Sequence, residues 1–247
     1  MNPWIDFWNR PNAIYANQRN LDVHFQYLIR DLQPYLPSGG YVLDYGCGDA
    51  LAAEAMAAHC ERLYLYDAAP AVRERLRQRF QDHPVIVVLD DQGLRDLAPG
   101  SLDLIVVVSV IQYISRDDLL RTMAAWRALL KPDGRLLVAD VIDPATPLLR
   151  DVSSQLRLAW RHGFLMAALG GLVRMFRSDY RTIRHKAGFS VYRPEEMLDL
   201  LHRTGFEGEI LPHNIGPTPH RRSFLARRNA DRKAEDQKAG IPIRSMI

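Results

Sequence analysis

Five short runs dominated by valine, isoleucine and leucine recur between residues 41 and 141, and nothing else in the chain constrains its fold as strongly. They are YVLDY (41–45), RLYLYD (62–67), VIVVLD (85–90), LDLIVVVSV (102–110) and GRLLVADV (134–141). Runs this apolar, with little polar alternation, suit strands whose two faces are both covered. The stretches between them carry helical periodicity, so the pattern predicts an α/β protein: a parallel sheet with helices on both sides.

The clearest intervening helix is SRDDLLRTMAAWRALL. Ser115 can cap it, Asp118 completes a capping box, and Leu119, Leu120, Met123, Trp126, Leu129 and Leu130 recur at helical spacing. The turn KPDG should stop it, because Pro132 cannot continue a helix. After the fifth run the alternation breaks. Residues 144–190 read as a helical insertion interrupted at the glycine pair 170–171. A helix from Pro194, with Gly205 just past its end, precedes two further strands, FEGEILPH and RRSFLARR, expected as an antiparallel pair at the sheet edge.

Composition excludes several classes. The 247 residues are 47% hydrophobic and 25% charged, enough to bury a sizeable core. The net charge of +3 rests on 32 basic and 29 acidic residues, which is too small an excess to indicate a nucleic-acid partner. Cys47 and Cys60 form no CxxC or Cys/His cluster, so no metal site is expected and a reducing, cytoplasmic setting fits. The start, MNPWIDFWNRPN, lacks the basic-then-apolar pattern of a signal peptide. The longest apolar stretch, GFLMAALGGLV, is too short to span a bilayer, which leaves a soluble protein or one lying on a membrane surface.

The stretch YVLDYGCGDALAAEAM places two glycines at the carboxyl end of the first strand, before a helix start. Gly46 and Gly48 let a ligand approach the backbone, and the helix offers free N–H groups. In a doubly wound sheet this is where ligands bind. Asp44, two residues before Gly46, would repel a pyrophosphate and attract a cation. Asp67 ends the second strand, where a carboxylate can accept from both ribose hydroxyls. Asp90, with Asp91 and Gln92 beside it, ends the third, where an adenine amino group could be met. This combination suits S-adenosylmethionine better than NAD.

With these residues the chain resembles the class I S-adenosylmethionine-dependent methyltransferases, closely over about 40–142 and more loosely over 190–228. VLDYGCG is similar to the family's first motif, YLYDAAPAV to its second, VVLDDQ to its third, SLDLIVVVSVIQYI to its fourth, and ALLKPDGRLLVAD to the turn before the fifth strand. The resemblance implies a Rossmann-like, mostly parallel seven-stranded sheet with an antiparallel edge strand. It also implies a cofactor held by Asp44, Gly46, Cys47, Gly48, Asp67, Ala68, Asp90, Asp91, Ser109 and Val110. In place of the first motif's third glycine stands Ala50. Gln112 and Tyr113 stand near a position where many small-molecule members have a histidine, and no Asn-Pro-Pro-Tyr follows strand four, unlike nucleobase and glutamine N-methyltransferases. A nicotinamide-dependent oxidoreductase is the alternative enzyme class, although its third glycine position falls at Leu51; a non-catalytic binding partner is the other alternative.

Methyl transfer needs alignment above all, and a base only where the acceptor must lose a proton. The sequence therefore says little about the acceptor, which is read as a small molecule or lipid-like metabolite methylated at O, N or C. Residues 1–38 are expected to form a helical cap over a methyltransferase domain at 39–228, with a flexible tail at 229–247. Tyr15 and His24 in the cap, and Tyr113, are the candidate catalytic groups. His162, His185, His213 and His220 read as surface or packing residues. Arg157, Arg161, Arg174 and Arg177, among Leu, Met, Phe and Trp, read at most positions as solvated arginines beside apolar residues packed on the sheet, with a substrate lid, a membrane contact or a dimer interface as the functional readings of the insertion, while the four arginines of HRRSFLARR read as the charged flanks of a strand. Asp103 and Asp140 read as structural.

Overall fold

The computed structural model describes residues 3–10, 16–177 and 188–229, apart from the side chains at 148–149 and 173–177. Seven strands form one sheet: β1 (Gly40–Tyr45), β2 (Cys60–Tyr66), β3 (Ile86–Val88), β4 (Leu102–Val108), β5 (Leu130–Val141), β6 (Phe206–Ile210) and β7 (Arg222–Arg228). Their order is β3-β2-β1-β4-β5-β7-β6. The first five run parallel, and β7 is antiparallel to both β5 and β6, as the sequence predicts.

Neighbouring residues on each strand point to opposite faces, so one apolar run fills two cores. Leu43, Ile105, Val107, Leu136 and Val138 pack under α6 (Arg116–Leu129) and α9 (Pro194–Arg203). Val42, Leu104, Val106, Leu137 and Ala139 pack under α2 (Gln18–Leu32), α3 (Ala53–Ala57) and α4 (Pro70–Phe80). A helix over only one face would leave half of these side chains in water. Ser115 caps α6 as expected, its hydroxyl oxygen accepting from the Asp118 N–H at 3.2 Å. Gly205 ends α9 with φ +82° because Arg127 lies where a Cβ would stand, its Nε 2.5 Å away.

Three local expectations are corrected. β5 begins at Leu130, before KPDG: Leu130 pairs with Leu102, the register then shifts, and Arg135 pairs with Leu104, so the turn is a bulge inside a strand. The helix after the glycine turn is only Ala53–Ala57, because residues 49–52 extend the turn. In the insertion, the break between α7 (Leu148–Arg161) and α8 (Leu165–Arg177) falls at Gly163, whose φ of +74° ends α7. The pair 170–171 lies within α8.

The N-terminal residues supply α1 (Pro3–Trp8) and α2. Val23 of α2 packs with Leu158, Ala159 and Phe164, joining α2, α7 and α8 in a third, smaller cluster.

Candidate active site

The strand order reverses between β1 and β4, and the carboxyl ends of these strands are where the sequence-predicted residues meet. The turn after β1 is tied to β2: the Gly46 and Cys47 N–H groups both donate to the Tyr66 carbonyl, at 2.7 and 3.1 Å. At Gly46, φ is +78° and an added Cβ would lie 2.3 Å from Val110 Cγ2, so the turn and the segment after β4 fit only with glycine there. Gly48, at φ +53°, faces open space. Ala50, where the family's third glycine is missing, still adopts the left-handed backbone, at φ +46°, and is buried.

Asp67 holds this turn in shape. One carboxylate oxygen accepts from the Gly48 N–H at 3.1 Å and the other from the Ala69 N–H at 2.8 Å. Burial raises its pKa, opposed by those two hydrogen bonds and by Arg73. Asp44 is half-buried and has no hydrogen bond or ion pair to any described residue. Burial, and secondarily the negative charge of Asp67, push its pKa from 3.8 up to about 7. An unpartnered carboxylate beside a second one is a costly arrangement in the ligand-free protein, and a cation placed there would relieve it. Burial and the same carboxylates push the Cys47 thiol well up.

The third-strand residues are engaged elsewhere. Asp90 is exposed, caps α5 (Asp91–Asp96) by accepting from the Gly93 N–H at 2.8 Å, and pairs with Arg77. Asp91 accepts from the Tyr66 hydroxyl at 2.9 Å and pairs with Arg73. It lines a cleft of about 370 Å³ between α5 and α6 with Tyr45, Arg121 and Trp126. Ala68 is exposed beside Asp67.

A second polar cluster closes the ends of β4 and β5. Ser109 and Asp140 both have left-handed backbones, φ +57° and +61°. The Ser109 hydroxyl donates to Asp140 at 2.6 Å, and so does Arg221 Nη1, also at 2.6 Å. Asn214 Nδ2 donates to the other oxygen at 3.2 Å. Strained residues held this firmly concentrate at functional sites. Sequence reading left Asp140 as structural and missed Asn214 and Arg221, since partners 74 and 81 residues apart carry no local signal. Asp103 is structural as read: at the far end of the sheet it accepts from the Tyr41 N–H and pairs with Lys131.

Of the candidate catalytic groups, His24 lies on α2 within electrostatic reach of Asp140 and Arg221. Its pKa is lowered by burial, raised by Asp140 and lowered again by Arg221, with the net effect downward. Tyr113 sits in an aromatic cluster with Trp4 at 4.8 Å, Phe189 at 5.5 Å and Trp8 at 5.9 Å. Tyr15 lies outside the described residues, as do His185 and residues 230–247 of the tail. Gln112 is buried and donates to the Ser109 carbonyl at 2.7 Å, and its own oxygen has no partner among the described residues.

Fold and site together define a class: a Rossmann-like doubly wound domain whose ligand turn carries carboxylates where a pyrophosphate binder would need none. The chain belongs to the methyltransferase domain family, whose profile matches residues 17–209. It is 34% identical over 104 residues to a ubiquinone biosynthesis O-methyltransferase of Xanthomonas campestris pv. campestris (strain B100), covering 41% of this chain and 43% of that one. The chain thus spans less than half the length of the curated relatives it matches. Among solved structures it is similar to the N-methyltransferase NodS from Bradyrhizobium japonicum WM9 in complex with S-adenosyl-L-homocysteine, with TM-score 0.53 and 20% identity over 93% of this chain and 98% of that one. It is also similar to the mitomycin 7-O-methyltransferase MmcR, with TM-score 0.56 and 19% identity over 83% and 53%. At the level of family and fold, the resemblance read from the sequence holds.

Proposed function

We propose that the protein transfers a methyl group from S-adenosylmethionine to a small-molecule or lipid-like acceptor at oxygen, nitrogen or carbon. One observation carries the reading: Asp44, a half-buried carboxylate without a partner among the described residues, stands beside a glycine turn whose Gly48 leaves open space for a ligand. In this reading Asp44 holds the ammonium group of the cofactor's methionine end, and Asp67 receives the ribose hydroxyls on its remaining lone pairs. Gly46, Cys47, Gly48, Ala68, Ser109 and Val110 border the same space. Asp90 and Asp91 contribute at its adenine end through α5, whose start they form. The cofactor, when bound, supplies an electrophilic methyl group with a good leaving group.

The protein's own residues then have three tasks. The turn and Asp67 fix the ligand's position, which is the dominant requirement for such a displacement. The Ser109–Asp140–Arg221 cluster shapes the wall on which the acceptor rests. His24, whose pKa burial lowers, takes the acceptor's proton where one must leave, with Tyr113 and Tyr15 as further candidates. Among the described residues, no helix is long and apolar enough to cross a membrane. Contact in this reading is confined to the acceptor and the periphery of a membrane. Both cysteines are free, which suits a cytoplasmic setting.

Calorimetric titration with S-adenosylmethionine, S-adenosylhomocysteine and NAD tests the assignment. Micromolar binding of the two sulfur nucleotides is expected. NAD binding without either of them would instead support the nicotinamide-dependent alternative.

A further inference from the structure

The elbow between α7 and α8 turns its apolar residues outward. Trp160 is 73% exposed, Met166 79% and Leu169 42%. Its inner side is already satisfied: Leu158, Ala159 and Phe164 pack on Val23 of α2, and Arg19 Nε donates to the His162 carbonyl at 2.6 Å. The exposed residues are therefore not displaced core residues, because the elbow is held in place with this side facing out. From Phe164 to Val173 the sequence contains no polar side chain, so α8 is apolar around its whole circumference as far as Val173, with Arg174 and Arg177 in its last turn. A helix of that kind needs cover on every side.

Charge indicates what covers it. From Val152 to Arg177 the chain carries four arginines and no acidic residue, whereas the whole protein is only +3. Arg157 and Arg161, one turn apart and flanking Trp160, are exposed and form no ion pair with a described residue. A protein partner would normally supply a polar rim to match hydrogen-bonding groups on this face, but α8 offers none between Phe164 and Val173. At 13 residues α8 is too short to span a bilayer, yet long enough to lie in its surface.

We propose that the α7–α8 elbow docks onto a bilayer with anionic headgroups. Trp160, Met166 and Leu169 enter the boundary between headgroups and acyl chains, and Arg157 and Arg161 pair with the headgroup anions. This gives the peripheral membrane contact of the proposed function a surface and a headgroup class, and it does not depend on methyl transfer itself.

Sedimentation with large unilamellar vesicles tests the proposal, using vesicles of phosphatidylcholine alone and vesicles containing about one-third phosphatidylglycerol, at low and high salt. The protein is expected to pellet at least about fivefold more with the anionic vesicles, and salt should weaken that preference. The double variant Trp160→Ser, Met166→Glu should lose at least about fivefold of the bound fraction. Arg157→Glu with Arg161→Glu should abolish the preference for anionic vesicles. All three proteins should keep the same melting temperature and S-adenosylhomocysteine affinity, which separates this result from the fate of the methyl-transfer reading. Equal or absent pelleting with the two vesicle types would overturn the proposal. A solution dimer that Met166→Glu converts to monomer would also overturn it, by assigning the face to a second copy.

Discussion

Asp44 makes the binding reaction a proton-linked one. Its carboxyl holds a proton up to about pH 7 in the folded, ligand-free protein, against 3.8 ordinarily. That displacement corresponds to about 4 kcal/mol disfavouring the ionised form, as an upper bound for a half-buried group. An arriving ammonium favours the ionised form, so below pH 7 each binding event must release a proton. With a pKa of about 7, roughly 3% of Asp44 is ionised at pH 5.5 and about 90% at pH 8. The dissociation constant of S-adenosylhomocysteine should therefore be about 30-fold weaker at pH 5.5 than at pH 8. Calorimetry in buffers of different ionisation enthalpy should show nearly one proton released at the lower pH and about 0.1 at the higher. Asp44→Asn should flatten the profile and bind at least about tenfold more weakly at pH 8, through the lost charge-assisted contact. The same group gives stability a definite sign. The native state keeps a proton that the unfolded chain loses near pH 4, so ligand-free stability should decline from pH 4 to pH 7 and level off above, with the decline smaller in Asp44→Asn. A wild-type affinity independent of pH, or the same pH dependence in the asparagine variant, would refute this role for Asp44.

Four other perturbations have definite outcomes. Gly46→Ala should lower stability by about 2–4 kcal/mol in thermal melts, because the methyl group collides with Val110 and the backbone is left-handed. Gly48→Ala, at a left-handed site facing open space, should cost only about 1 kcal/mol yet weaken S-adenosylhomocysteine at least about tenfold, since its methyl group occupies ligand space. Asp67→Ala should weaken the same ligand by at least about tenfold, and unchanged affinity in titration would remove Asp67 from the site. Cys47 should resist iodoacetamide at pH 8, measured by mass spectrometry, because its thiol is pushed far above that pH.

How much could be read from sequence depended on how local each cause was. The five apolar runs announced the parallel strands because burial on both faces dictates their composition residue by residue. Asp44, Gly46, Gly48 and Asp67 were readable because the glycine turn and the ends of adjacent strands fix their relation. The insertion breaks at Gly163 and not at the glycine pair 170–171, because composition shows where glycines are and only the chain path shows which one is left-handed. Asp90 and Asp91 end the third run, yet their carboxylates are committed to capping α5 and to Tyr66, Arg73 and Arg77, partners that the motif does not encode. The Ser109–Asp140–Arg221 cluster was beyond reach because it forms only when β7 inserts beside β5.

The central claim is that the turn after β1 receives the methionine end of S-adenosylmethionine. A crystal structure with S-adenosylhomocysteine tests it most directly. The amino group should lie within hydrogen-bond distance of the Asp44 carboxylate, with the ribose hydroxyls on Asp67. A nucleotide seated instead in the cleft between α5 and α6, with Asp44 still unpartnered, would contradict the account.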